Sequence, residues 1–528
     1  MAHRKANVIS LIASLVVGLV LFYLILPPLN VSSGAFWVFI GILVAVFAAV
    51  NTMLLTKGLK PQVSGIAKYV VLVYCACLVL IMGLNLFMSP IFTARSYASR
   101  ITVNETTDFY SDVQEVNFDH LPLLDKASSQ KLGDRVMGQM PELVSQFYVS
   151  DLYTQINLND QIVRVTPLEY DGVVKYFTNR SEGVKGYITV NSVDGEANLV
   201  KLEEGMRYMP SAYFFENLYR HVRFAYPFEI LGDPTFELDN SGKPYWVFPC
   251  ISYSGVNLKT EIEAVILVDP VEGDMEKYNV GEVPTWIDHV YPASLIIEQV
   301  DQWGELRGGY LNSIFGQKNV VNTTDGYNYT VMNDDVYLYT GITSKASDES
   351  NLGFILSNLR TKETHFYSVP GAEEYSAMAS AQGQVQQMGY EASFPLLINL
   401  NNKATYLISL KDNAGLVKMY AFVDVADYQK VVVSDASLGI EAAAKKYIGD
   451  VDIVIDESEI DVIEIMIAKI TDANIEGNTY YYFEDMDRIR YRASIAVAPL
   501  ELPFLESGDV VELSYYLNEG IREVIEIN

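Results

Sequence analysis

The residues able to do chemistry are few and poorly placed for it. Five histidines stand at positions 3, 120, 221, 289 and 365. No two have the His-x-x-x-His spacing that sets two imidazoles on one helix face for zinc. His289 directly follows Asp288, but adjacent residues point apart, so adjacency alone builds no acid–base relay. Neither a Gly-x-Ser-x-Gly elbow nor a phosphate-cradling P-loop occurs. Ser128-Ser-Gln-Lys131 has the Ser-x-x-Lys spacing of a lysine-activated serine, without the Ser-Asp-Asn and Lys-Thr-Gly partners that complete such a site. It reads as helix surface. Asp239-Asn-Ser-Gly242 falls short of the alternating oxygen ligands of a calcium loop. Carboxylates are abundant, but only their separation across a cleft would mark a glycosidase. Trp246, Trp286 and Trp303 have the flat faces of a sugar groove and equally the bulk of a core; core packing is expected. No catalytic, cofactor-binding or metal-ligating residue is assigned, no cofactor is expected, and the balance leans against an enzyme.

Cys75 and Cys77 lie in an apolar stretch and Cys250 stands alone. The large remainder of the chain can therefore form no intrachain disulfide. A big extracytoplasmic region without disulfides suits a Gram-positive exterior. Charge is unevenly spread. The first hundred residues hold seven Lys or Arg and no acid; the formal total is −29, so the other 428 residues carry −36. A surface that acidic repels phosphate backbones, which argues against nucleic acid as a partner.

Three apolar stretches, 7–26, 35–55 and 69–87, each approach the roughly 20 residues that cross a hydrocarbon core. Arg4 and Lys5 precede the first; Lys57, Lys60 and Lys68 fill the loop after the second. The positive-inside rule then sets the N-terminus in the cytoplasm and the bulk of the chain outside the cell membrane. Arg95 and Arg100 are basic on the outer side and sit awkwardly with that rule. The spans carry no ionisable carboxylate or amine, so they read as an anchor rather than an ion path.

The outer region is organised by a unit of about 70 residues that recurs four times between 125 and 433. Each copy reads as a helix followed by a four-stranded antiparallel meander. In the first, a helix capped by Asp125 precedes strands near 147, 162–166 and 173–177. In the second, a helix is expected over 211–224. In the third, Gly304, Gly308 and Gly309 break helical material over 293–315, and the fourth has a helix over 375–388. A strand is expected at 101–103 in the preceding linker. The closing hairpins superpose: Asn191, Asp269, Asn358 and Asp424 end their first strands, Tyr278 coincides with Tyr367, and Gly195 and Gly273 sit in the turns. Turn capping is the expected role of those Asp and Asn residues. Stacked in series, such units would make an extended array with a long reach from the membrane.

The hairpin Val268-Asp-Pro-Val-Glu-Gly273, at the end of a helix-plus-meander, resembles the PepSY module of bacterial secreted and membrane proteins. The third and fourth copies have Lys362 and Tyr428 where the turn glycine stands, and a cystatin-like meander fits the same pattern. The resemblance implies a role in binding or regulating extracytoplasmic proteins and supplies no catalytic residue.

Beyond an acidic link at 450–461, strand candidates at 463–470, 478–483, 491–497, 509–515 and 521–527 suggest a small OB- or SH3-like barrel. Tyr480, Tyr481 and Tyr482 alternate in face, so packing is favoured over a stacking platform. The expected fold is a membrane-anchored α+β protein: a three-helix transmembrane anchor (1–90), linker and α+β module 1 (91–205), modules 2 to 4 (206–283, 284–370, 371–449) and the C-terminal barrel (460–528). The expected function is non-catalytic binding, scaffolding or regulation in a bacterial envelope. A peptide- or wall-directed enzyme with a site between modules, and a structural subunit of an envelope assembly, are the competing readings. The expected partners are the membrane and envelope proteins or peptides. Local function is to be sought at Gly304 to Gly309, at Cys250 and at the seams.

Overall fold

The computed structural model describes residues 2–56, 63–332, 334–345, 347–450, 461–475, 478–495, 497–498, 501–518 and 521–527. It divides into two compact units, Met1–Tyr447 and Ile448–Asn528. The loop lysines Lys57 and Lys60 and most of the acidic link lie outside the described residues.

Three helices open the chain: α1 (Ala2–Ile25), α2 (Gly34–Leu55) and α3 (Gly65–Met88). All three are long and apolar enough to cross a membrane, which is compatible with membrane anchoring. Leu19, Val38 and Leu72 point outward, as side chains that meet lipid do. One cluster of polar side chains lies at the end where α1 begins. Asn51 Nδ2 donates to Asn7 Oδ1 (2.8 Å), Ser64 Oγ donates to the same oxygen (3.0 Å), and Ser64 N donates to Asn51 Oδ1 (3.2 Å). Unpaired polar groups are costly away from water, so this cluster ties the three helices together beside Arg4, Lys5 and Lys68. A kinked helix α4 (Pro90–Ala98), strand β1 (Val103–Thr107) and a short helix α5 (Phe109–Asp112) follow.

Four antiparallel sheets come next. The first has α6 (Lys126–Gly138), α7 (Pro141–Val144), β2 (Phe147–Val149), β3 (Thr154–Leu158), β4 (Gln161–Tyr170), α8 (Val173–Asn179), β5 (Val184–Asn191) and β6 (Ala197–Met206). The second has α9 (Leu218–Ala225), β7 (Ile230–Leu231), β8 (Thr235–Leu238), β9 (Pro244–Tyr253), β10 (Thr260–Val268) and β11 (Met275–Asn279). The third has α10 (Ala293–Leu306), β12 (Val321–Thr323), β13 (Asn328–Met332), β14 (Asp335–Ser344), β15 (Ser347–Asn358), β16 (Thr364–Tyr367) and β17 (Gly371–Ala372). The fourth has α11 (Glu374–Gln384), β18 (Glu391–Ala392), β19 (Leu396–Leu400), β20 (Lys403–Lys411), β21 (Val417–Asp424) and β22 (Val431–Asp435), with α12 (Ile440–Asp450) after it. In each sheet two short strands share one neighbour, and the meander continues from there: β4-β5-β6, β9-β10-β11, β14-β15-β16 and β20-β21-β22.

Three expectations are corrected. Residues 173–177 are helical, not extended: Gly172 (φ +87°) turns the chain out of β4, and Tyr176 N donates back to Gly172 O. The helix expected over 211–224 forms only from Leu218, because Asn217 caps it through Arg220 N (3.2 Å) and spends its amide on Pro210 O and Ala212 O. The linker strand begins at Val103 rather than Ile101; Ile101 is core.

The closing turns share one geometry. Asn191, Asp269, Asn358 and Asp424 each accept, through Oδ1, from the backbone N–H groups two and three residues on, at 2.8–3.4 Å. Such a side chain stands in for the missing ladder at a tight turn. Gly195 (φ +78°), Gly273 (φ +83°) and Lys362 (φ +65°) occupy the same left-handed position. The fourth turn is one residue longer, since Asp424 N donates to Lys430 O whereas Asp269 N donates to Asp274 O. Tyr278 and Tyr367 do coincide: they pair with Val265 and Phe354, each four residues before its capping residue.

The second sheet is buried on both faces. Trp246, Phe248, Cys250, Ala264, Ile266 and Val268 join the core of the first sheet. Val247, Val265 and Leu267 face a separate core with Ile296, Val300, Leu338 and Ile355. Strand alternation produces the two faces, and each large side chain so buried contributes about 2–3 kcal/mol. The fourth sheet returns to the first: Lys411 pairs with Asp125 at the start of α6, and Ser409 Oγ donates to Leu123 O (3.0 Å). The sheets therefore do not form the extended array expected from sequence. The second unit is a closed five-stranded barrel of β23 (Asp461–Ile475), β24 (Asn478–Asp485), β25 (Arg490–Ser494), β26 (Val510–Asn518) and β27 (Ile521–Ile527), in the order β23-β24-β25-β27-β26. Ile465, Ile467, Phe483, Tyr491 and Leu513 fill it.

Candidate functional site

The residues singled out from sequence resolve into packing. Ser128 is buried; its hydroxyl donates to Gly415 O (3.4 Å) and Lys131 Nζ donates to Ala414 O. Serine and lysine thus both hold α6 to a turn of the fourth sheet, a seam rather than a solvent face. Cys250 is 2% exposed on β9. Burial, then the nearby Glu229, push its thiol up to about 12, so no thiolate is available as a nucleophile or ligand. Gly304 lets α10 approach β12: a Cβ there would lie 2.1 Å from Val321 O. Trp246 is wholly buried, Trp286 packs on Tyr245 (5.2 Å) and Trp303 lies under Arg307 (4.6 Å). Tyr481 packs toward the barrel core, while Arg492 lies over Tyr480 (5.3 Å).

Asp288 and His289 diverge. His289 Nε2 lies 2.7 Å from Gln155 O, whereas Asp288 Oδ2 accepts from Asn157 N (2.8 Å). Asp288 N donates to Glu237 Oε2 (2.8 Å), and Glu237 Oε1 accepts from Thr235 (2.6 Å). Burial, then Glu237, hold the Asp288 carboxyl well above the usual carboxylate range. Asp335, bound to Arg360 (2.7 Å) and Asn358 (2.8 Å), adds a third acid at the junction of the first three sheets. With Glu237 and Asp288 at 0% and 2% exposure, no substrate reaches the pair. Sequence reasoning missed this junction because its members come from three copies and no local spacing unites them.

The polar cleft that does open to solvent lies where β1 meets β16. It encloses about 400 Å³ between Arg100, Asn104, Tyr291, Lys362 and His365. Its cations are already paired. Arg100 binds Glu261 (3.1 Å), Glu298 (3.2 Å) and Gln302 (2.7 Å), and Lys362 binds Glu261 (3.0 Å). His365 Nε2 lies 3.1 Å from Glu363. The cleft can hydrogen-bond a small polar group, but it presents no activated nucleophile. Among the described residues, no three His, Cys, Asp or Glu side chains are placed to hold a metal.

The arrangement with a direct bearing on binding is β1 itself. It lies parallel on the outer edge of the third sheet, with Val103 opposite Thr364, Asn104 opposite His365 and Thr107 opposite Tyr367. Thr107 Oγ1 donates to Phe366 O (2.9 Å). The corresponding edges of the first and second sheets, β6 and β11, have one neighbour each among the described residues. On β22, Lys446 Nζ donates to Val433 O (3.2 Å).

No protein family matches the chain, and no curated protein does. Among solved structures, a crystal structure of cobalt-substituted Synechocystis ACO is similar at a TM-score of 0.13 and 10% identity, over 53% of this chain and 47% of that one. The chain thus spans about half the length of that protein, and so low a likeness carries no argument.

Proposed function

We propose that this chain is a membrane-anchored, non-catalytic binding or scaffold protein of a bacterial cell envelope. Its N-terminus is cytoplasmic, its sheets lie outside, and its sheet edges capture extended peptide segments of other envelope proteins. The observation that carries this is β1 on β16: a segment of the chain itself already uses one outer edge in that way. Main-chain hydrogen bonds give such strand addition its affinity, and alternate side chains give its selectivity. Exposed edges are otherwise a hazard that proteins cover, and β6, with ten residues, is long for an edge left open. The basic residues before α1 and after α2 support the orientation.

The four sheets are read as copies of one PepSY-like module, supported by the shared capping geometry of Asn191, Asp269, Asn358 and Asp424. The barrel is read as an OB-fold rather than an SH3-like one. Its strand order and the parallel β25–β27 pair support that.

A photo-crosslinking residue placed in cells at Lys201 on β6, at Glu276 on β11 and at His365 on β16 tests the proposal. Discrete intermolecular adducts at the first two and none at the third are expected. Adducts at none of them, or equally at all three, overturn it.

A further inference from the structure

The base of the first unit carries an apolar collar that neither its fold nor its edges use. It has two parts, each continuous with a membrane-length helix. At the end of α1, Phe22 packs on Phe224 (5.4 Å), Tyr23 packs on Phe215 (5.8 Å), and Arg220 lies over the Tyr23 ring (4.1 Å) while its Nε donates to Tyr23 O (3.1 Å). Leu29 N donates to Pro227 O (2.8 Å) and Asn30 Nδ2 to Phe228 O (3.1 Å). Around this joint Phe214, Phe215, Phe224 and Phe228 remain 45–65% exposed.

The second part lies beyond α3. There α10 descends antiparallel to α4. Its middle meets Arg100 through Glu298 and Gln302, and its end, Leu306, packs with Ala94, Tyr97 and Ala98, joined by Tyr310. The next residues therefore come level with the start of α4. Leu311, Ile314 and Phe315 are exposed there, Phe315 to 81%, as are Ile91 and Phe92 on α4. In water, so many large apolar side chains would form an anomalous patch. At a lipid interface, aromatic rings are in their preferred place.

Charge points the same way. Residues 101–528 carry −36 overall, yet the collar segments are basic. Segment 89–100 holds Arg95 and Arg100 and no acid; 205–228 holds Arg207, Arg220 and Arg223 against Glu216; 306–318 holds Arg307 and Lys318 and no acid. Arg100 is consumed by Glu261 and Glu298, Arg207 by Glu216 and Arg307 by Glu105, and Arg223 is buried, whereas Arg95 and Lys318 are exposed.

We infer that this collar seats the extramembrane unit in the adjacent leaflet of the bilayer, with Phe214, Phe215, Phe228, Leu311 and Phe315 among the acyl chains and Arg95 and Lys318 at anionic headgroups. Arg95, which sits awkwardly with the positive-inside rule, then has a role, while Arg100 is held by Glu261 and Glu298. The unit rides on the membrane at a fixed attitude instead of swinging on a tether. This rests on the reading that α1 to α3 span the bilayer.

The test uses the full chain, with Cys75, Cys77 and Cys250 replaced by alanine, in nanodiscs of phosphatidylcholine with or without phosphatidylglycerol. A nitroxide is attached singly at F315C, L311C, F214C, V79C in α3, and Y428C in the last closing turn. Oxygen and a water-soluble nickel chelate report depth. Leu311 and Phe315 enter no ring contact, so their variants keep the fold if Phe214 does not tolerate replacement. Positions 311, 315 and 214 should match Val79 in high oxygen and low nickel access, with nickel access several-fold below that at Tyr428. Depth at 315 should increase with phosphatidylglycerol. Nickel access at 311 and 315 equal to that at Tyr428, with Val79 still in lipid, overturns the collar alone. Aqueous access at Val79 overturns the anchoring reading beneath it. Depth indifferent to phosphatidylglycerol overturns the headgroup role of Arg95 and Lys318.

Discussion

Asp125 and Lys411 stand 286 residues apart and form an ion pair that joins α6, the helix that opens the first sheet's unit, to the fourth sheet. The same carboxylate caps α6 through Ser128 N (2.9 Å). Burial raises the Asp125 pKa, but the Lys411 hydrogen bond and the two from Ser128 together outweigh it and hold the group low. A depressed carboxylate contributes stability above its unfolded value and loses it as pH falls through the folded one. Lys411→Met should therefore cost about 1–3 kcal/mol at neutral pH, between the range for exposed pairs and that for buried ones. Its deficit should shrink as pH falls through the acid range. Thermal unfolding of the detergent-solubilised chain across pH measures both.

The junction acid Asp288 should behave oppositely. Its folded pKa is raised, by burial first and by Glu237 second. The folded state then holds a proton that the unfolded state releases, so stability falls as pH rises from the unfolded value toward the folded one. Asp288→Asn keeps an acceptor for Asn157 N and carries no charge to bury. It should unfold at or above the wild-type temperature at neutral pH. It should match wild type below about pH 4.

The closing turns separate two costs. Gly195 and Gly273 both have positive φ, but a Cβ at Gly273 would meet the Tyr208 ring at 2.4 Å, while one at Gly195 would meet Leu124 at 3.3 Å. Gly195→Ala should cost about 1 kcal/mol from backbone strain. Gly273→Ala should cost about 2 kcal/mol or more, because an aromatic ring must also move. Parallel denaturation curves of the two variants decide the matter; equal losses would remove the clash from the explanation.

Cys250 should resist maleimide in the folded chain at pH 8, since its thiol is buried and its pKa is pushed up to about 12. Labelling should appear only on denaturation. Mass spectrometry of the peptide before and after unfolding reads this.

Local patterns were legible in the sequence and long-range pairings were not. The three apolar helices, the five barrel strands and the capping role of Asp269 and its counterparts could be read because each depends on neighbours along the chain. Val173-Val-Lys-Tyr-Phe177 suits a strand or a short helix on its own. Gly172 and the completed β4 decided between them. The return of the fourth sheet to α6 hinges on Asp125 and Lys411, which no periodicity connects. A strand near β1 is legible in the linker, but its pairing is not, because its partner, β16, lies about 260 residues away. The collar went unseen for a different reason: Phe214 and Phe315 fit a core as well as a surface until their exposure is known.

The proposed function requires the outer edges of the first and second sheets to receive an extended peptide, while that of the third is already filled by β1. Amide hydrogen exchange on the full chain in nanodiscs, with and without a peptide recovered from the β6 adduct, tests it most directly. Slow exchange along β16 in both states, with fast exchange along β6 and β11 that slows on peptide addition, is the expected result. Equal protection of all three edges without peptide, or peptide-induced protection only away from β6 and β11, would contradict it.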